Sequence, residues 1–126
     1  MSVAYVDTSA LIAVAFNESG GAAIASRLAE PSFLLSSNLL EAEMRSVCSR
    51  EGISFSPKLF SNLKWVFPDR SLAPEITVVL EAGYLRGADL WHVASALYVA
   101  RDPGDMWFVT LDERQRTVAE AVGFIV

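Results

Sequence analysis

With 126 residues, 52% of them apolar and 20% charged, the chain has the material for one soluble globular domain, and not for two. A net charge of −5 and a sequence pI near 4.8 exclude a protein that holds nucleic acid by diffuse positive charge alone. They leave room for an enzyme of phosphate chemistry, because bound divalent cations reverse the charge of an acidic site.

Other bulk features narrow the class further. No apolar stretch reaches the ~18 residues of a membrane helix, and Asp7 interrupts the place where a signal peptide would be apolar. Cys48 is the only cysteine, so an internal disulfide is impossible and a reducing cytoplasm is the expected compartment. It reads as a small buried hydrophobe. The ten cations are eight Arg and two Lys, Lys58 and Lys64.

In chain order, Ser2–Val6 reads as a short buried strand, Asp7 stands at its end, and the Ala/Leu-rich run to Phe16 reads as a helix. In open parallel sheets the carboxyl ends of the strands are where ligands bind. Residues 17–21 form a turn into a second helix that ends near Glu30-Pro31. Gly20-Gly21 lacks the spacing and the lysine of a phosphate loop, so turn chemistry accounts for it. Residues 33–35 form a strand, Ser36-Ser37-Asn38 offers caps, and a helix runs to about Arg50, where Gly52 stops it.

Ser56-Pro57 opens a predicted helix over 58–67, and Pro68-Asp69-Arg70 leads into a short edge segment. Pro74 starts a helix to about Gly83, and a nearly uncharged helix spans 88–100. After the Pro103-Gly104 turn, 106–110 is a strand, Asp112 starts the last helix, Gly123 ends it, and 124–126 forms a final strand. Strands alternating with helices imply a mostly parallel, short-stranded sheet covered on both faces. The expected fold is a three-layer α/β/α domain.

Four carboxylates carry the functional reading. On a helical wheel from Asn38, Glu43 falls among Leu39, Leu40, Met44 and Val47, whereas Glu41 falls with Arg45 and Ser49 on the opposite side. An acid on an apolar face needs a metal, an arginine or a proton. Asp89 sits beside Val93, Ala96, Leu97 and Ala100 in the first turn of a buried helix, and Asp112 follows a strand. Singly, Asp112 with Gln115 is a capping box, and Asp89 favours its helix dipole. Together with Asp7, however, they form an acidic pocket without a basic partner, which is stable only around a cation. Oxygen ligands suit Mg²⁺ or Mn²⁺, and no Cys/His cluster offers a zinc site. Carboxylate-held Mg²⁺ serves phosphate chemistry.

These stretches resemble the PIN-domain family, and in particular the VapC-type toxins of bacterial toxin–antitoxin pairs. Val6-Asp7-Thr8-Ser9-Ala10-Leu11 is similar to the family's opening strand and first acid. Ser36-Ser37-Asn38-Leu39-Leu40-Glu41-Ala42-Glu43-Met44-Arg45 is similar to its second acidic motif, with Glu43 at the acid. Arg86-Gly87-Ala88-Asp89-Leu90-Trp91-His92-Val93-Ala94-Ser95-Ala96-Leu97 resembles its most recognisable stretch, and Val109-Thr110-Leu111-Asp112-Glu113-Arg114 its final motif. The resemblance covers nearly all of residues 1–126 as one PIN-like domain and is loosest over 53–80. It implies a Mg²⁺- or Mn²⁺-dependent endoribonuclease acting on RNA, commonly a homodimer, held inactive by a cognate antitoxin. Asp7, Glu43, Asp89 and Asp112 are then the metal-holding catalytic acids.

Around them, Thr8, Ser9 and Thr110 are candidates for bonds to metal waters or phosphate, and Thr8 and Ser9 are equally good helix caps. His92, the only histidine, reads as a satisfied structural residue before it reads as a general base. Arg86, Arg114 and Arg116 suit either RNA backbone or surface ion pairs, and Trp91 and Trp107 suit core packing before base stacking. The rivals are a catalytically inactive interaction module and a Mg²⁺-dependent phosphatase. The phosphatase would need a second Asp where Ser9 stands, and a phosphoacceptor domain would need a late lysine that is absent.

Overall fold

The structure, a computed structural model, describes residues 2–126. Four strands, Val3–Val6 (β1), Phe33–Ser37 (β2), Leu63–Val66 (β3) and Met106–Val109 (β4), pair in parallel in the order β3-β2-β1-β4. β1 lies in the middle, with Val3 opposite Phe33 on one side and Met106 on the other.

Two-residue alternation along β1 divides the core. Ala4 and Val6 face α1 (Thr8–Ala15), α2 (Gly21–Leu28) and α3 (Leu39–Glu51), packing with Leu11, Ile24, Leu40 and Met44. Tyr5 faces α4 (Ala73–Ala82), α5 (Gly87–Val99) and α6 (Glu113–Val122), packing with Val79, Val93, Phe108 and Val118. The architecture is the expected α/β/α sandwich. Each fully buried side chain of this kind contributes about 1.5–3 kcal/mol of transfer free energy. Cys48 is buried and free. The Gly20-Gly21 pair is a turn, and a Cβ on Gly21 would stand 2.3 Å from the Ala13 carbonyl oxygen, so a side chain there would force α1 and α2 apart.

Three expectations fail locally. The helix over 58–67 is a single 3-10 turn, Pro57–Phe60, followed by β3. Proline starts the turn as expected, but Leu63, Lys64, Trp65 and Val66 pair with Leu34, Leu35, Ser36 and Ser37. Leu63 and Trp65 fill the α1 side and Val66 the α5 side, so period-two burial and strand-favouring side chains win over helix propagation. One edge of the sheet is therefore β3, and the segment after Pro68-Asp69-Arg70 is no strand. The chain end contributes one parallel bridge, Trp107 to Ile125, instead of a full strand. No helix among the described residues is long and apolar enough to cross a membrane.

Candidate active site

Asp7 follows β1 directly, and its N–H still bonds the Val109 carbonyl across the sheet at 3.1 Å. Its Oδ1 accepts from the Ala10 N–H at 3.0 Å, so Asp7 itself caps α1 while Thr8 and Ser9 lie inside the helix. That corrects the reading of Thr8 and Ser9 as caps: their hydroxyls serve acids. Ser9 Oγ is 2.9 Å from both Asp7 oxygens, and Thr110 Oγ1 is 2.9 Å from Oδ2. The carboxylate is 2% exposed. Burial pushes its carboxyl above the usual range, and the bonds from Ala10, Ser9 and Thr110 only partly offset this. Thr110 Oγ1 also lies 2.8 Å from Gln115 Oε1, so its one proton is shared between Asp7 and Gln115.

Glu43 projects from α3 toward α5. Its Oε1 accepts from Thr8 Oγ1 at 2.7 Å and from His92 Nε2 at 2.8 Å. His92 is fully buried, and its other nitrogen, Nδ1, lies 2.8 Å from the Tyr5 hydroxyl. The Ser37 N–H donates to that hydroxyl at 3.0 Å. The network assigns the tautomer: Tyr5 donates its one proton to Nδ1, so the ring hydrogen is on Nε2 and points at Glu43. Burial alone would raise the Glu43 carboxyl, but the bonds from His92 and Thr8 outweigh it and hold it below the usual range. Burial carries the Tyr5 hydroxyl well above its ordinary value, so it stays a proton donor. The side chain of Glu41, two residues away, is more exposed than that of Glu43, 43% against 30%, and pairs with Arg45 at 3.0 Å.

Asp89, in the first turn of α5, is half-buried. Its carboxyl is raised by burial first and then by the negative charges of Asp112 and Glu43, against which Arg86 and His92 work. Asp112 caps α6 through a 2.8 Å bond from the Gln115 N–H. The capping box is only half present. The Asp112 N–H goes instead to Thr110 Oγ1 at 3.0 Å, and the Gln115 amide reaches across to the Asp89 carbonyl at 3.2 Å. Gln115, fully buried, thus joins the elements that carry Asp89 and Asp112.

The residues around the acids divide. Arg116 bonds Glu113 at 2.6 Å and the Thr110 carbonyl at 3.0 Å. Trp91 donates to Ser37 Oγ at 2.9 Å. Trp107, expected in the core, is 37% exposed beneath the Arg27 guanidinium, which lies 5.0 Å from its ring centroid. Tyr5 and the bridging role of Gln115 are missing from the sequence reading. Their partners lie 87 and 26 residues away, so no local pattern signals them.

A surface depression of about 630 Å³ lies between α1, α2 and residues 57–63, and none of the four acids lines it. Asp7 and Asp112 follow the carboxyl ends of β1 and β4, and Asp89 lies within reach of the charges of Asp112 and Glu43. As a donor set the four acids are all oxygen, suited to a hard divalent cation, and such a charge would relieve the upward push that burial, Asp112 and Glu43 exert on the Asp89 carboxyl. Among the described residues no three Asp, Glu, His or Cys side chains form a ready ligand set. Local donors occupy Asp7, Glu43 and Asp112, while the Asp89 carboxylate accepts no hydrogen bond. The donor chemistry fits a cation, and side-chain rotation would have to complete the site.

A family model described as PIN domain matches residues 4–121. No curated protein and no solved structure matches the chain.

Proposed function

This chain belongs to the PIN-domain family, and on that premise we propose that it is a Mg²⁺- or Mn²⁺-dependent endoribonuclease, the toxin of a VapBC-like toxin–antitoxin pair. Members of the family are typically metal-dependent nucleases. The observation that carries the proposal is that Asp7 and Asp112 follow the neighbouring parallel strands β1 and β4 and each caps the next helix, in a chain whose residues 4–121 match the PIN family.

Asp7, Glu43, Asp89 and Asp112 would hold the cation. When bound, the metal lowers the pKa of water and neutralises charge on the scissile phosphate. The chain's own residues prepare the acids. Thr8 and His92 keep Glu43 ionised and fixed in direction. Ser9 and Thr110 orient Asp7, and Gln115 holds α5 and α6 in register. Arg86, whose charge reaches Asp89, would contact the substrate backbone.

The test is cleavage of RNA by purified protein with Mn²⁺ or Mg²⁺ and its loss with EDTA. Growth arrest on expression alone, relieved by a small co-expressed antitoxin, tests the toxin role. The occupied state of Asp7, Glu43 and Asp112 favours one rival, an inactive interaction module. Calorimetry with Mn²⁺ separates the two, since that module would release no heat of binding.

A further inference from the structure

Four residues, Gly83 to Arg86, cross from α4 to α5 beside the acidic edge. Gly83 is pressed against α6, where an added Cβ would stand 2.8 Å from Val118 Cγ2, and Leu85 is buried in the core. The loop is therefore anchored on both sides of Tyr84. Yet Tyr84 itself is 65% exposed, and the Arg114 guanidinium lies over its ring, 5.9 Å from the centroid. An open depression of about 520 Å³ lies between Gly83, Tyr84, Arg114 and Thr117. A large aromatic ring fixed in place but left in solvent adds little to stability.

The charges point the same way. Arg45, Arg50, Arg70 and Arg116 are each paired with a glutamate. Arg27, Arg86, Arg101 and Arg114 bond no carboxylate among the described residues, and of these Arg86 and Arg114 stand within three residues of Asp89 or Asp112. Glu113, the neighbour of Arg114, is committed to Arg116. Arg114 stands two residues after Asp112, and Arg86 three before Asp89. An exposed ring under one unpaired guanidinium, with a second two residues along the chain, at the rim of a phosphate-directed site is the composition of a stacking platform for a single strand.

We propose that Tyr84 stacks on a base of single-stranded RNA next to the cleaved bond, with Arg114 and Arg86 contacting the phosphates that flank it. The proposal rests on the ribonuclease reading and deepens it by naming the determinant that holds the strand. Arg114 already stands over the ring in a cation–π contact.

The test is a binding cycle with a fluorescein-labelled 12-nucleotide RNA in Ca²⁺, read by anisotropy, with one abasic position moved along the strand. Tyr84→Ala is expected to weaken binding roughly five- to a hundredfold, the range of one base–aromatic stack, and Tyr84→Phe to restore most of it. At one position, base removal should weaken the wild type and leave Tyr84→Ala no weaker. A merely structural Tyr84 would give no such position, and wild-type binding by Tyr84→Ala would overturn the proposal. Cleavage in Mn²⁺ is measured separately. A protein that binds RNA through Tyr84 without cutting it would retain the platform and sink the nuclease reading. A wild type that does not bind RNA would overturn the platform and leave this exposed face to a protein partner.

Discussion

Nε2 of His92 lies 2.8 Å from Oε1 of Glu43, and through this contact α5 holds the acid of α3 at the sheet edge. His92 is in turn held by Tyr5 of the central strand. His92→Ala is expected to lower stability by about 2–4 kcal/mol, because it opens a cavity and strands the buried Tyr5 hydroxyl. RNA cleavage should fall with it, as Glu43 loses its orienting bond. His92→Gln, able to reach one partner, should recover part of both. Urea denaturation and cleavage rates measure the two effects, and a wild-type midpoint for His92→Ala would contradict the network.

Asp7→Asn should abolish cleavage while the fold survives. Asparagine caps a helix about as well as aspartate, so the Ala10 bond is kept. The raised carboxyl gives the sign of the stability effect. A group that binds its proton more tightly when folded stabilises the fold below its unfolded pKa, and this contribution is lost as pH rises through the folded value. At neutral pH without metal the charged Asp7 is thus a burden, and Asp7→Asn should melt higher than wild type. The gap should close on acidification. Thermal melts in EDTA at neutral and acidic pH check this, and a lower melting temperature for the variant at neutral pH would reverse the assignment.

Much of this architecture is readable from pattern alone, because it depends on local periodicity. The strand–Asp–helix opening, the buried helix around Val93 and the strand before Asp112 each declare themselves within a few residues. β3 does not. Its residues follow a proline that starts a helical turn, and only pairing with β2, about thirty residues earlier, makes Leu63–Val66 a strand. The same limit hides the site's connections. Wheel geometry puts Glu43 inward, but that His92 and Thr8 satisfy it depends on how α1, α3 and α5 meet. Asp112-x-x-Gln115 looks like a capping box, and tertiary structure redirects half of it to Asp89 and Thr110.

Glu43→Gln and Glu41→Gln, two residues apart, should behave oppositely. Glu43→Gln removes a charge that His92 and Thr8 hold, and should weaken Mn²⁺ binding and cleavage strongly. Glu41→Gln breaks only an exposed pair with Arg45, so stability should change by less than about 0.5 kcal/mol and catalysis not at all. Titration calorimetry with Mn²⁺ and a fluorogenic RNA assay on both variants decide it. An inactive Glu41→Gln would place the wrong acid in the site.

Gln115 offers a test that touches none of the four acids. Its backbone N–H caps against Asp112 whatever the side chain, so Gln115→Leu leaves that bond intact. The lost amide removes two buried hydrogen bonds, to the Asp89 carbonyl and from Thr110 Oγ1, a cost of about 1–3 kcal/mol. Cleavage should also drop, because this amide joins α5, which carries Asp89, to α6, which Asp112 caps. Gln115→Glu should be worse at neutral pH, since it adds a buried charge facing a carbonyl oxygen beside three acids. Its carboxyl, raised by burial, would regain stability as pH falls, the opposite trend to a carboxylate held by an ion pair. Melting temperatures of the two variants from pH 7 to pH 5 separate the loss of a bond from the gain of a charge. Equal behaviour at both pH values would mean that the Gln115 side chain does not face the Asp89 carbonyl in solution.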